Sequence, residues 1–132
     1  MTGQFKRYCK TLQLEDNADL INEYKKVHAM GATWPEIGLG MKEVGILDME
    51  IYIDGNRLFM IMDTVADFDH ETAMAKLATL PRQAEWEAFV SKFQQTSSET
   101  SAADKWRLLQ RIYELDQKKE STPEHGYEKQ YK

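Results

Sequence analysis

The alternation of hydrophobic and polar positions is clearest in the middle of the chain, where it predicts a β-hairpin. Along residues 46–54, one predicted face carries Leu47, Met49, Ile51 and Ile53, and the other carries Asp48, Glu50 and Tyr52. This period of two is typical of a strand with one buried face. The tripeptide Asp54-Gly55-Asn56 favours a tight turn, and residues 58–64 (LFMIMDT) predict the partner strand.

Before the hairpin, the pattern predicts one strand and two helices. Residues 5–14 (FKRYCKTLQL) alternate roughly as a strand, with Tyr8 and Leu12 on one parity and Phe5 and Cys9 on the other. Asp16 or Asn17 is suited to cap a helix that runs to about His28, with a hydrophobic stripe at Leu20, Ile21, Tyr24, Val27 and His28. Pro35 suits the first turn of a second, short helix that ends at Gly45.

After the hairpin, the pattern predicts two further helices and a last strand. Asp67 and Asp69 are cap candidates for a helix carrying Phe68, Ala75 and Leu77, and Pro81 opens a helix with Trp86, Phe89, Val90 and Phe93 at core spacing. Residues 94–104 are predicted to be a loop. Residues 105–115 (KWRLLQRIYEL) fit either a helix or a strand. We predict a strand, because it completes the β-α-β-β-α-β order of a ferredoxin-like α+β fold.

Composition bounds the domain organisation and the partners. A chain of 132 residues with 42% hydrophobic residues predicts a single domain over residues 1–115, followed by a tail at 116–132 that is mobile or clasps a partner. The net charge of −5 argues against a nucleic-acid partner. The lone Cys9, the absence of a signal-peptide pattern and the absence of a long hydrophobic run predict a cytoplasmic protein without a membrane partner.

Candidate chemistry is concentrated in residues 23–37 (EYKKVHAMGATWPEI). Tyr24 and His28 are four residues apart, so on a helix they share one face. Imidazole can both take and give a proton near neutral pH. At a helix C-terminus the dipole is expected to favour its charged form. A histidine that ends a hydrophobic stripe is nevertheless more often a packed structural residue than a catalytic one.

Several enzyme classes are excluded by their missing motifs. The chain has no GxGxxG, Walker, GxSxG or HExxH pattern, and its three histidines, at 28, 70 and 125, lie in different segments. A metal site through His28 with Asp48 or Glu50 stays open as an alternative, as do these two acidic residues as paired carboxylates. The remaining aromatic, hydroxyl and imidazole groups suit a neutral polyol such as a sugar.

Six short motifs resemble those of the L-rhamnose mutarotases. They are EYxxxH at 23–28, WPE at 34–36, IYID at 51–54, LFMIMD at 58–63, QAEWEAF at 83–89 and LLQRIYEL at 108–115. This resemblance, which covers roughly residues 5–115, implies a homodimeric ferredoxin-like α/β barrel. It also implies an isomerase that interconverts the α and β anomers of a 6-deoxy-hexose monosaccharide without a cofactor or metal.

The resemblance also implies roles for individual residues. His28 matches the family's proton-donating histidine, Tyr24 a sugar-binding tyrosine, and Trp86 the second of a tryptophan pair; Trp34 and Tyr52 are expected to help hold the sugar. Three departures stand out: five residues separate His28 from Trp34 where the better-known bacterial members have three, Met49 replaces a sugar-binding tyrosine, and Glu85 replaces the first tryptophan. These departures make an L-fucose-type sugar an alternative to L-rhamnose.

The sequence leaves several alternatives open. The second proton-transfer group could be Glu36, Asp48, Glu50 or Glu85. A non-enzymatic sugar-binding or regulatory dimer needs the same pocket without a proton shuttle. A small ferredoxin-like monooxygenase would show similar residues.

Overall fold

The fold is an antiparallel sheet with helices packed on one face. The computed structural model describes residues 4–95 and 102–115, with 103 and 104 as backbone only, and the backbone of 127–130. The elements are β1 (Gln4–Gln13), α1 (Ala18–Val27), α2 (Pro35–Glu43), β2 (Ile46–Asp54), β3 (Arg57–Val65), α3 (His70–Leu77), α4 (Gln83–Ser91), α5 (Ala102–Lys105), β4 (Arg107–Leu108) and β5 (Tyr127–Gln130). The predicted α+β class is confirmed.

The strand order in the sheet is β2-β3-β1-β4, with β5 also paired to β1, and every pair is antiparallel. β3 lies along nearly the whole of β1, from Phe5 opposite Val65 to Gln13 opposite Arg57. The other edge of β1 is shared, because β4 pairs with Lys10 and Thr11 and β5 pairs with residues 4–7. β1 is therefore the central strand.

The last predicted strand is much shorter than the pattern suggested. Lys105 ends α5, only Arg107–Leu108 form β4, and residues 109–114 have no regular secondary structure. The ladder ends near Leu109, whose N–H donates to the Cys9 carbonyl oxygen. Farther along the same edge, β5 occupies the place that a longer β4 would take. The rest of the predicted tail, including His125, lies outside the described residues, as does the loop at 96–101.

The predicted hairpin is present, but one residue faces the other way. β2 and β3 pair from Asp54 opposite Arg57 to Ile46 opposite Thr64, and the register shifts between Ile46 and Asp48. This irregularity places Leu47, predicted on the buried face, in solvent at 54% exposure. Beyond it the alternation holds, and Met49, Ile51 and Ile53 face the helices.

The two helices before the hairpin form as predicted. The Asn17 side chain accepts a hydrogen bond from the Leu20 N–H, which caps α1, and His28 is the residue at its C-terminal end. Pro35 occupies the first turn of α2. After α2 the chain turns through Gly45 at a φ of 104°, a conformation that glycine adopts without strain.

The two later helices differ in detail from the prediction. Phe68 lies before α3 rather than on it, at 3% exposure, and Ala75 faces solvent, while Ala73, Met74 and Leu77 pack inward. α4 begins at Gln83, two residues after Pro81, because Arg82 has a left-handed φ of 64° that interrupts helical geometry. Trp86, Val90 and Phe93 are buried as predicted.

The hydrophobic core lies between the sheet and the helical layer. Tyr8, Leu12, Leu58 and Met62 contribute from the sheet, and Tyr24, Ile37, Leu77 and Trp86 contribute from the helices. None of the helices in the described ranges combines the length and the hydrophobicity that spanning a lipid bilayer requires.

Candidate active site

A cavity of about 370 Å³ opens between the helix-covered face of the sheet and the helical layer. Its sheet side includes Lys10, Met49, Ile51, Met60 and Met62, and its helical side includes Tyr24, His28, Met41, Met74, Gln83, Trp86, Glu87 and Gln94. Its walls are mostly hydrophobic, with a few polar groups among them. A cavity of this size and character is typical of a small-molecule site.

His28 lines this cavity from the C-terminal end of α1. Its Nδ1 lies 2.9 Å from the backbone carbonyl oxygen of Tyr24. A carbonyl oxygen can only accept a hydrogen bond, so Nδ1 carries the hydrogen. In the neutral ring, Nε2 then has a lone pair that can accept a hydrogen bond or a proton. Burial lowers the pKa of His28, and the hydrogen bond to Tyr24 offsets this only in part. The expectation from the helix dipole alone, a ring favoured in its charged form, is therefore wrong, because desolvation dominates.

Aromatic rings hold the imidazole in place. The centroid of the Tyr24 ring lies 4.2 Å from that of His28, and the Trp86 ring meets His28 edge-on at 5.4 Å. Tyr24 is buried and shares a side-chain hydrogen bond with Gln94; burial raises the pKa of its phenol. The phenol is therefore a neutral hydrogen-bonding group at physiological pH.

The structure brings four of the seven predicted site residues to the cavity, namely Tyr24, His28, Met49 and Trp86. Trp34 lies behind this wall: its ring contacts Trp86 at 5.1 Å and Phe89 at 5.5 Å, and the Arg82 guanidinium covers it at 4.0 Å. Trp34 thus supports Trp86 rather than lining the cavity.

Tyr52 and Glu85 lie away from the cavity. Tyr52 has the opposite strand parity to Met49 and Ile51, so it stands on the other face of the sheet, 55% exposed, and donates a hydrogen bond to Glu50. Glu85 precedes Trp86 on α4, and one residue along a helix turns the side chain by about 100°. It is exposed and pairs with Arg82, which lowers the pKa of its carboxyl.

The acidic residues considered as second proton-transfer groups do not line the cavity. Asp48 and Glu50 are exposed, and Glu50 shares the outer sheet face with Tyr52. Glu36 pairs with Arg82 at 3.6 Å, as Glu85 does at 3.0 Å. In the described part of the chain, no three His, Cys, Asp or Glu side chains gather as metal ligands would.

Sequence reasoning missed Lys10, which lines the cavity from the centre of β1 at 2% exposure. Its Nζ lies 2.7 Å from His70 Nε2, and burial lowers the pKa of Lys10 to about 8. The sequence places Lys10 between Tyr8 and Leu12 on the same strand parity, but the alternation alone did not show which parity faces the core. A lysine on a buried strand face is uncommon enough to mark a candidate functional residue.

A polar row on α4 was missed too. Gln83 and Glu87 lie one turn apart, and Gln94 lies just beyond the helix. Glu87 accepts hydrogen bonds from Gln83 and, through its other oxygen, from the buried Lys105 Nζ at 2.9 Å. The Oε1 atoms of Gln83 and Gln94 are buried and have no hydrogen-bond partner among the described residues. The sequence signal was the spacing of Gln83 and Glu87, which are four residues apart and so share a helix face next to the aromatic stripe.

Fold and site together define a small α+β protein with an aromatic-lined cavity that holds a neutral histidine. The family model for L-rhamnose mutarotase matches residues 7–115. The chain therefore belongs to the L-rhamnose mutarotase family, whose members are isomerase-type enzymes.

Individual relatives agree with this assignment. The chain is 35% identical over 111 residues to an L-fucose mutarotase of Xanthomonas campestris pathovar campestris, which covers 84% of this chain and 89% of that protein. It is 34% identical over 116 residues to a Dictyostelium discoideum protein, covering 85% of this chain and 91% of the other. The crystal structure of an L-rhamnose mutarotase from Formosa agariphila has a similar fold, with a TM-score of 0.58, 18% identity and coverage of 83% of this chain and 98% of that one.

Proposed function

We propose that the protein is a mutarotase that interconverts the α and β anomers of a 6-deoxy-hexose by acid/base ring opening. The observation that carries the proposal is the state of His28, a neutral imidazole at the cavity wall whose Nδ1–H is bound to the Tyr24 carbonyl oxygen at 2.9 Å. Its Nε2 is thereby prepared to accept a proton from the anomeric hydroxyl group. Mutarotation also occurs slowly in water, so a rate gain of about 10²–10⁴ per positioned group is sufficient.

The cavity offers both of the surfaces that a 6-deoxy sugar needs. The Trp86 indole and the Tyr24 phenol ring can cover the C–H face of a pyranose. The methionine side chains of the wall suit its methyl group, because thioether chains are flexible and apolar. Sugar hydroxyls would satisfy the unpartnered amide oxygens of Gln83 and Gln94, which otherwise stay buried at a cost of about 1–3 kcal/mol each.

L-rhamnose and L-fucose are the two substrates to compare. The family model favours rhamnose, whereas the 35% identical relative is named as a fucose mutarotase. Met49 lines the cavity at a position where a tyrosine hydroxyl would add a polar contact. Its thioether favours a sugar that presents an apolar edge there. Because the 35% identical relative is named as a fucose mutarotase, L-fucose is the first sugar we would assay.

Saturation-transfer NMR on equilibrated L-rhamnose and L-fucose tests the function. We expect the protein to accelerate anomer exchange of at least one sugar, and His28→Ala to abolish the acceleration while its circular dichroism spectrum is unchanged. Tyr52→Phe is the matched control, since Tyr52 lies outside the cavity. Sugar binding without accelerated exchange would contradict an enzyme and favour a binding protein, and equal exchange in His28→Ala would remove His28 from the mechanism.

We further infer a ferredoxin-like homodimer. The order β2-β3-β1-β4 with helices between β1 and β2 and between β3 and β4 supports the ferredoxin-like topology. The sheet face away from the helices exposes hydrophobic side chains at Leu47, Tyr52 and Phe59, which a second copy would cover. Sedimentation equilibrium should give a dimer that Leu47→Glu weakens. Leu39→Glu, on the exposed side of α2, is the control expected to leave the dimer intact.

A further inference from the structure

Lys10 is a basic side chain that lines the cavity, and the mechanism proposed for His28 does not involve it. It projects from the middle of β1 onto the helix-covered face, opposite Met60 of β3 and Leu108 of β4. The polar contact of its Nζ within the described residues is His70 Nε2 at 2.7 Å, and no acidic side chain there pairs with it. Because an ammonium group has three N–H donors and His70 accepts one, donors remain for a ligand in the cavity.

A buried ammonium without a carboxylate partner is costly to the folded state, and a methionine or leucine at this position would pack beside Met60 and Met62 at no such cost. The groups that could modulate Lys10 are those on the same side of the sheet. They are Lys6 and Tyr8 on β1, Asp69 and His70 at the start of α3, Tyr24 and His28 of α1, Glu87 on α4 and Lys105 on α5. Because the buried Lys10 ammonium destabilises the fold, a role in ligand binding or catalysis explains its position better than a structural role does.

We propose, on the basis of the mutarotase function proposed above, that Lys10 is the second proton-transfer group and acts as the general acid on the ring oxygen while His28 acts as the general base. Both side chains line one cavity, Lys10 from the sheet and His28 from the helical layer. A pyranose held between them presents its ring oxygen and its anomeric hydroxyl, which share one carbon, to the two groups.

The proton movements balance without any further reactant. His28 Nε2 takes the anomeric hydroxyl proton, the electron pair of that O–H bond forms the aldehyde C=O, and the ring C–O bond breaks as its oxygen receives a proton from Lys10. The aldehyde group then rotates about the bond to the neighbouring carbon, so that its opposite face points toward the freed sugar hydroxyl. In closure, the sugar hydroxyl attacks that face and returns its proton to the Lys10 amine, while the carbonyl oxygen recovers a proton from the His28 imidazolium.

Glu87 is the acidic side chain of the cavity, and it is already engaged. One of its oxygens accepts from Lys105 Nζ at 2.9 Å and the other from Gln83 Nε2 at 2.9 Å. It is suited to orient Gln83 toward a sugar rather than to exchange protons. The Nζ of Lys10 contacts only His70 among the described side chains and keeps N–H donors for a ligand. We therefore assign the general-acid role to Lys10.

The protonation states also fit the roles. Burial lowers the pKa of Lys10 to about 8 and lowers that of His28 below its ordinary 6.5. Between these two pKa values the lysine is charged and the histidine is neutral, the state that ring opening requires. The rate should therefore be bell-shaped in pH, with a low-pH limb from His28 and a high-pH limb from Lys10.

The test is the pH profile of anomer exchange for wild type, Lys10→Met, Lys10→Arg and the control Lys26→Met, whose lysine is exposed on α1. We expect Lys10→Met to lower kcat/KM by about 10²–10⁴-fold, to lose the high-pH limb and to raise the melting temperature. Lys10→Arg keeps a charged donor whose pKa is too high to release a proton, so it should bind sugar but exchange it slowly, without the high-pH limb. Lys26→Met should match wild type.

Each outcome is decisive. Lys10→Met with wild-type exchange, or with an unchanged high-pH limb, overturns the role of Lys10 while leaving the mutarotase function intact. If Lys10→Met does not fold, wild-type activity in Lys10→Arg overturns it equally. A wild-type protein that accelerates exchange of neither sugar overturns the function itself and the role of Lys10 with it.

Discussion

The imidazole Nδ1 of His28 and the backbone carbonyl oxygen of Tyr24 are 2.9 Å apart, so the last turn of α1 fixes the tautomer of the ring. The same tyrosine contributes its own ring to the cavity, with its centroid 4.2 Å from that of the imidazole and its plane tilted by 31°. One helical turn therefore supplies the candidate base, the hydrogen bond that orients it and part of the cavity wall.

This relationship predicts how acid affects the protein. Because the pKa of His28 is lower in the folded state than its ordinary 6.5, the unfolded chain binds this proton first as pH falls. Stability attributable to His28 is thus complete above pH 6.5 and is lost as pH falls from there through the folded pKa, and activity should fall over the lower part of this range. NMR titration of the His28 ring in wild type checks the prediction, which a pKa above 6.5 would contradict.

Lys10 should lower the stability of the folded protein. A pKa lowered from 10.5 to about 8 corresponds to a penalty of about 3 kcal/mol in the free energy of folding. The penalty is complete below pH 8 and vanishes as pH rises to 10.5, because only the unfolded state binds the proton in that range. Urea unfolding of Lys10→Met should show a gain of up to this amount at neutral pH, less about 1 kcal/mol for the lost bond to His70.

The pH dependence of that gain is its control. It should shrink as pH approaches 10.5, while Lys26→Met should show no gain at any pH. A Lys10→Met variant that is less stable than wild type at neutral pH would show that the lysine is a structural residue.

Trp86 and Trp34 should behave differently although they touch. Trp86 lines the cavity, so Trp86→Phe removes part of the face proposed to cover the sugar, and we expect a loss of about 0.5–1.5 kcal/mol in binding, a two- to tenfold higher Kd. Trp34→Phe should leave the Kd nearly unchanged and lower stability, since a smaller ring makes a weaker cation–π contact with Arg82. Isothermal titration with the active sugar measures both; equal losses of affinity would contradict the placement of Trp34.

Lys105 of α5 forms a buried ion pair with Glu87 of α4. Its side chain is fully buried and binds Glu87, the Glu87 backbone oxygen and Ser91 Oγ. Lys105→Ala leaves Glu87 without its cation, and we expect a loss of about 3–5 kcal/mol in the free energy of unfolding. The control is Lys76→Ala, whose pair with Glu43 is exposed and 3.8 Å long and should contribute below about 1 kcal/mol. Similar losses in the two variants would contradict the difference in burial.

The sequence predicted the parts of the fold that depend on local pattern. The hairpin at Gly55, the Asn17 cap and the start of α2 at Pro35 all follow from side chains acting on their own backbone. It did not predict the exposure of Leu47, because a shift in strand register depends on the partner strand. Nor did it predict that β5, a segment without an alternating pattern, occupies the part of the β1 edge beyond the short β4.

The site was predictable where neighbours in sequence are neighbours in space. Tyr24 and His28 meet because they are one helical turn apart, and Trp86 reaches the same cavity through its core-facing stripe. Tyr52 was expected to hold the sugar, but strand parity places it on the opposite face from Met49. The position of Lys10 could not be predicted, because both parities of residues 5–14 carry hydrophobic side chains and the pattern does not show which of them faces the helices.

Five of the residues around the cavity are methionines, at positions 41, 49, 60, 62 and 74. Oxidation converts a thioether into a bulkier, polar sulfoxide. Exposure to peroxide should therefore impair the proposed sugar site, and reductase repair of the sulfoxides should restore it. The thioethers that would suit this cavity to a deoxy sugar are therefore also groups through which an oxidant can inactivate it.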